Sequence, residues 1–226
     1  MNTENKKLFE IARMIDISAV RADSTLEEVR EICEAAKKYG FICVFAMPSF
    51  VPKVQKLTEG RKDILVGGVV GFPSGAETTE AKVFEARRLR DNGCNEIDMV
   101  MNIGKLKSGL HKDVLDDILA VKAAASPLPL KVIIEVCLLT ADEIVEASRI
   151  VLESGANYLK TGTGWAGATT FEHLKTIFDT VGKKIKVKVA GGVRDLATLE
   201  KMRALGVSRF GIGGKSAVKI MEEIGR

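Results

Sequence analysis

Apolar and polar positions along the 226 residues form one repeating pattern: a short apolar run, a turn, then a longer stretch with apolar residues at helical spacing. Residues 5–14 read as a short leading helix and 14–20 as the first strand. Ser24 or Asp23 stands where it can cap a helix over about 25–38, in which Val29, Ile32, Cys33 and Ala36 share one face and Gly40 supplies the stop. Residues 41–46 are a continuous apolar run, suited to a strand covered on both faces. The alternation continues through helix 50–59, strand 64–70, the turn Gly71-Phe72-Pro73-Ser74-Gly75, helix 77–92, strand 95–101 and a longer helical region over about 104–125. It goes on with strand 130–136, helix 141–154, strand 157–160 and a helix bearing Leu174, Ile177, Phe178 and Val181. Strand 185–190, helix 195–205, strand 208–211 and helix 215–224 complete it.

Eight strand–helix units with no linker or shift in composition predict a closed parallel barrel. An open doubly wound sheet would ask for a phosphate fingerprint near the first strand, and residues 15–25 have none. The expectation is an α/β fold, a single-domain (β/α)8 TIM barrel over residues 1–226 with a short N-terminal leading helix.

In a barrel strand, alternate residues face the interior and the surrounding helices. The helix-facing parity must be apolar, so Ile15 and Ile17, Ile97 and Met99, Val132, Ile134 and Val136, Leu159, and Val187 and Val189 take it. That sends Asp16 and Ser18, Glu96 and Asp98, Lys131 and Glu135, Tyr158 and Lys160, and Lys186 and Lys188 inward. Glu96, Lys131 and Lys186 lie early in their strands, where pairing or solvation would suffice. Burying the rest unpaired would cost several kcal/mol each, so the cluster points to a site.

Lys160 and Lys188 come late on neighbouring strands. Two ammonium groups about 5–7 Å apart repel, which lowers the pKa of one and frees a nucleophilic amine near neutral pH. Asp98 is placed to move protons to and from a carbon beside an iminium. These parts suit a Schiff-base aldolase. Gly191-Gly192 after the seventh strand, Gly211-Ile212-Gly213-Gly214-Lys215 after the eighth, and Thr163-Gly164 after the sixth are glycine turns where barrels commonly hold a phosphate.

Composition narrows the partners. Hydrophobic residues make up 46% and aromatic residues 5%, so the core is mostly Val, Ile, Leu and Ala. The net charge of +4 is spread without a long basic run, which argues against nucleic acid and suits a small anionic substrate. Cys33, Cys43, Cys94 and Cys137 form no CxxC pair, as expected of free thiols in a reducing compartment. The first residues lack the apolar core of a signal peptide, and no 18-residue apolar run occurs, so a cytoplasmic protein with no membrane partner is expected. His111 and His173 are the only histidines, which speaks against a His-based metal site or triad.

The chain resembles the deoxyribose-phosphate aldolase family over essentially its full length. The blocks that carry the likeness are Val70-Gly71-Phe72-Pro73 with Gly75, Glu96-Ile97-Asp98-Met99-Val100 and Leu130-Lys131-Val132-Ile133-Ile134-Glu135. Tyr158-Leu159-Lys160-Thr161-Gly162-Thr163-Gly164 and Lys188-Val189-Ala190-Gly191-Gly192-Val193-Arg194 follow in the family's order. The resemblance implies Lys160 as the Schiff-base lysine, Lys188 as the lysine that tunes it and Asp98 as the proton-relay acid/base. It implies Asp16 and Lys131 in the relay and hydroxyl-binding shell, and phosphate on Gly164, Gly191, Gly192 and the loop after the eighth strand. Ser18 keeps a hydroxyl where the family often has threonine, and Thr163 belongs to the expected substrate shell. No cofactor or metal is implied; the substrate is a small phosphorylated aldehyde or sugar. Barrels of this kind often dimerise through their helices, so a homodimer or higher oligomer is compatible with the fold. The chain departs from the family at Gly162, Gly213 and Gly214, where serines are usual. The departures keep open a paralogous aldolase with another aldehyde, and a non-catalytic sugar-phosphate-binding barrel stands as the reading from outside the enzymes.

Overall fold

The structure, a computed structural model, describes residues 3–224. Helix α1 (Thr3–Ala12) leads into β1 (Ile15–Ala19), followed by α2 (Leu26–Tyr39), β2 (Cys43–Ala46), α3 (Val51–Leu57), β3 (Leu65–Val70), α4 (Thr79–Asp91) and β4 (Glu96–Val100). Then come α5 (Ile103–Lys107), α6 (His111–Ala125), β5 (Leu130–Ile133), α7 (Ala141–Glu153), β6 (Tyr158–Lys160), α8 (Phe171–Val181), β7 (Lys186–Ala190), α9 (Leu196–Ala204), β8 (Arg209–Gly213) and α10 (Gly214–Ile224). The eight strands close in sequence order into a barrel, the (β/α)8 TIM barrel with its leading helix.

Two compact units can be distinguished, residues 1–68 with 193–226 and residues 69–192. In the first, β1 pairs in parallel with β2 and β8, setting Asp16 opposite Cys43 and Gly211. In the second, β4 to β7 pair in parallel; Asp98 lies opposite Lys131, Ile133 opposite Lys160, and Lys160 opposite Lys188.

The alternation holds. Ile15, Ile17, Ile97, Met99, Val132, Ile134, Leu159, Val187 and Val189 are all buried, as helix-facing apolar residues should be. Local signals explain the helices. α2 is capped by the Thr25 side chain on the Glu28 N–H, carries Glu27 and Glu28 in its first turn and Lys37 and Lys38 in its last, and ends on Gly40 in the left-handed region. α7 and α8 both open on capping boxes, Thr140 with Glu143 and Thr170 with His173.

Among the element boundaries that differ from expectation, four have an identifiable local cause. Thr25, not Ser24 or Asp23, caps α2; Ser24 Oγ instead accepts the Arg21 N–H. The region 104–125 is two helices because Gly109 takes φ +73° and turns the chain between them. β5 stops at Ile133, three residues early, because Glu135 adopts φ +52° before a 3-10 turn at Val136–Leu138. β8 runs on to Gly213, so the expected glycine loop after it does not exist: Gly211 and Gly213 pair with Asp16 and Ser18, and Gly214 begins α10. Phe210 and Ile212, both buried, supply the apolar alternation that extends the strand.

Candidate active site

The site is built on β4 to β7. Each contributes a charged residue of inward parity, and the ladder register brings four of them together. Asp98 is fully buried on β4. Its Oδ1 accepts from Lys131 Nζ at 3.0 Å, while its Oδ2 accepts from both Lys160 Nζ at 2.9 Å and Lys188 Nζ at 2.6 Å. The two lysine nitrogens on one oxygen can be separated by no more than the sum of those distances, which puts them at or below the short end of the separation expected. Lys131 Nζ also pairs with Glu96 Oε1 at 2.8 Å. Lys131, Lys188 and Asp98 are at most 1% exposed, whereas Lys160 retains 6%. Lys186, although of inward parity, is solvent-exposed, with its Nζ 5.4 Å from the Tyr158 ring centroid.

Burial lowers the Lys160 amine from 10.5 to about 8, the Asp98 carboxylate opposes that, and the charges of Lys188 and Lys131 add to the lowering. Desolvation is therefore the main cause, and like-charge repulsion from Lys188, the cause expected from the sequence, is secondary. Burial alone would raise Asp98, but Lys131, Lys160 and Lys188 together hold its carboxyl well below the usual range. Asp98 is thus an ionised carboxylate at neutral pH, an acceptor of protons rather than a resting acid. An amine about one pH unit from neutrality, buried among groups that steer its proton, is a nucleophile suited to a carbonyl.

The loops beyond the strands are tightly constrained. Thr161 Oγ1 lies 2.7 Å from Thr169 Oγ1, and Ala190 N donates to it at 3.1 Å, so the end of β6 is tied to β7. Gly164, Gly191 and Gly192 have φ of +86°, +91° and +89°. A Cβ on Gly191 would lie 2.5 Å from the Gly167 carbonyl oxygen, and one on Gly192 would lie 2.6 Å from Ala168 Cβ. Only glycine fits either place. The Thr163 N–H and hydroxyl, expected to face substrate, both donate to the Glu135 carboxylate, and Thr163 Oγ1 accepts the Trp165 N–H at 3.0 Å.

Within the other compact unit, Asp16 is fully buried and its Oδ1 accepts from Arg209 Nε at 3.0 Å and from Arg209 Nη2. Ser18 is half-buried. Gly213 is exposed with nothing near its Cβ position, whereas a Cβ on Gly214 would lie 2.8 Å from Ile32 Cγ2. Gly213 and Gly214 line a cavity of about 860 Å³ with Lys215, Ser216, Arg21 and Thr25. Sequence reasoning missed Arg209, which sits one residue into the expected last strand with no local signal beyond a charged residue between Ser208 and Phe210.

A barrel that buries one reactive lysine against a carboxylate and a second lysine has the features of a class I, Schiff-base aldolase. The DeoC/LacD family aldolase model matches residues 2–209, and the chain belongs to that family. A deoxyribose-phosphate aldolase from Sinorhizobium medicae is 48% identical over 215 residues, spanning 95% of this chain and 87% of the relative. One from Rhizobium meliloti is 47% identical with the same coverage. Among solved structures, an aldolase named QR15 superposes with a TM-score of 0.88 at 32% identity, over 95% of each chain. Among the described residues no helix is long and apolar enough to cross a membrane, and all four cysteines are free.

Proposed function

We propose that this chain is a class I aldolase that reversibly cleaves 2-deoxy-D-ribose 5-phosphate to acetaldehyde and D-glyceraldehyde 3-phosphate. The single observation that supports it most is the Lys160 amine, lowered to about 8 and seated with Lys188 on one oxygen of Asp98. Lys160 in its free-amine form attacks C1 of the open-chain aldehyde, and loss of water from the carbinolamine leaves an iminium. The C2–C3 bond then breaks toward that nitrogen as the C3 hydroxyl gives up its proton. Glyceraldehyde 3-phosphate leaves, and an enamine of acetaldehyde stays on Lys160. Protonation at C2 and hydrolysis release acetaldehyde and restore the amine. Asp98, ionised and bonded to Lys160, Lys131 and Lys188, is the base through which these protons pass, directly or by one water. Lys188, which donates to the same Asp98 oxygen, adds to the lowering of the Lys160 amine.

In this reading Lys131 and Asp16 are assigned to the shell that handles protons and the sugar hydroxyl, and Ser18 is a further substrate-binding candidate. The strained glycines Gly164, Gly191 and Gly192 present backbone N–H groups to the phosphate, with Gly213, Gly214 and Lys215 as further candidates. Thr163 acts through its loop rather than by donating to substrate. The single-domain organisation over residues 1–226, a cytoplasmic location and self-association into a dimer or higher oligomer are part of the proposal; sedimentation would read the last. A related aldolase with a different aldehyde is the second reading, favoured by glycine at 162, 213 and 214.

Borohydride reduction in the presence of 2-deoxyribose 5-phosphate tests the assignment. A reduced adduct on the Lys160 peptide, and no turnover in Lys160→Ala, are expected. Turnover that persists in that variant would remove Lys160 from the chemistry. A panel of aldehydes assayed with inorganic phosphate as competitor separates the two substrates.

A further inference from the structure

Glu135 is the one non-glycine residue with positive φ among the described residues, at +52°. The left-handed region is unfavourable for a glutamate and persists only where the surroundings impose it. Its neighbours show what does so. The Ile134 N–H donates to the Lys160 carbonyl at 3.0 Å, and the Val136 N–H to the Thr161 carbonyl at 2.9 Å. Along an uninterrupted parallel ladder the second bond would fall two residues on in both strands. Here the step is two residues on one side and one on the other, so Glu135 is the extra residue of a bulge facing the reactive lysine.

The bulge turns the Glu135 side chain, 3% exposed, onto the loop that follows Lys160. Its carboxylate accepts the Thr163 N–H at 3.1 Å, with a second contact at 3.3 Å, and the Thr163 hydroxyl. Residues 160, 161 and 163 are therefore all held by the segment 134–136. Gly162, between them, lies against the same carboxylate: a Cβ there would lie 2.8 Å from Glu135 Oε1, which would have to shift, and 3.4 Å from the Ala190 carbonyl oxygen.

We propose that Glu135 is a positioning residue for Lys160, setting the course of residues 160–163 through its bulged backbone and its carboxylate. The inference rests on Lys160 being the Schiff-base lysine. It concerns a residue that does not itself touch substrate, and so its effect is read on the lysine's reaction with acetaldehyde, which carries no phosphate.

The experiment measures the initial rate of the borohydride-trapped acetaldehyde adduct on the Lys160 peptide, with thermal melting to confirm folding. Glu135→Ala should slow trapping by about tenfold or more, and Glu135→Gln, which keeps an acceptor for Thr163, should stay within about threefold of the parent. Glu135→Ala combined with Thr163→Val should be no slower than the slower single variant, because both break the same contact. Thr163→Val, which removes only the hydroxyl, gives the same test should Glu135→Ala not fold, and is also expected to slow trapping. A folded Glu135→Ala or Thr163→Val that traps at the parental rate would overturn the inference, as would losses that multiply in the double variant. Absence of any adduct in the parent protein would instead strike the Schiff-base reading of Lys160.

Discussion

Lys160 and Lys188 donate to the same oxygen of Asp98, at 2.9 and 2.6 Å, across the β6–β7 pairing that sets them opposite each other. One carboxylate oxygen thus holds both the amine proposed to react and the second lysine beside it. Because burial contributes more than Lys188 to the lowered Lys160 pKa, removing Lys188 should weaken the activation without abolishing it.

The first prediction concerns pH. With Lys160 near 8, its free amine and the rate of Schiff-base formation should rise about tenfold per pH unit below that value and level off above it. Lys188→Leu takes away a charge that lowers Lys160, so this limb moves to higher pH while staying short of the ordinary 10.5. Trapping rates measured from pH 6 to about 10 read the shift; an unmoved limb would remove the like-charge contribution.

The second concerns stability. Below about 8 the folded protein carries the full penalty of burying a protonated Lys160. Between about 8 and 10.5 only the unfolded chain binds that proton, so this contribution makes stability rise with pH across that window and then ceases. Lys160→Met should therefore be inactive yet more stable than the parent at pH 7, by up to about 3 kcal/mol, with the gain shrinking toward pH 10.5. Denaturant unfolding at both pH values checks it.

A third addresses the phosphate. Gly191→Ala places a methyl 2.5 Å from the Gly167 carbonyl oxygen at a φ of +91°. KM for 2-deoxyribose 5-phosphate should rise about tenfold or more, while acetaldehyde alone is still trapped on Lys160. Steady-state kinetics set beside trapping separates the two effects.

The fourth concerns a buried ion pair at the end of β4. Lys82 on α4, fully buried, donates to Asp117 Oδ2 at 2.8 Å and to the Val100 carbonyl at 3.1 Å, at the end of the strand that bears Asp98. Thr79 Oγ1 holds the other Asp117 oxygen at 2.8 Å. Lys82→Met strands a buried carboxylate and should cost about 3–5 kcal/mol, part of which Lys82→Met with Asp117→Leu recovers. Thermal melting of the single and double variants measures both.

Particular residues show how far the sequence could be read. Lys160, Lys188 and Asp98 were legible because a strand has a period of two, and apolar residues on one parity send their neighbours the other way. Ile97 and Met99 place Asp98, Leu159 places Lys160, and Val187 and Val189 place Lys188. Glu135 defeats the same rule. Alternation gave it inward parity as a sixth strand residue, but the strand had already ended at Ile133. Its φ follows from the bonds that Ile134 and Val136 make to Lys160 and Thr161, more than twenty residues away, and no local pattern encodes them. Thr163 reads from sequence as a substrate-shell residue because its loop follows the sixth strand, where barrels commonly hold a phosphate. Which acceptor reaches that hydroxyl first is a matter of distance across the loops.

The barrel, its strand count, and which side chains turn inward were determined by the sequence itself, because hydrophobic periodicity and the need for an apolar helix-facing side act over a few residues. The tertiary structure decided the partners: three lysines on Asp98, Arg209 on Asp16, Glu135 on Thr163, and Lys82 on Asp117. Those pairings depend on ladder register and on how far each buried charge must reach for a counter-charge, and both exist only once the chain has closed.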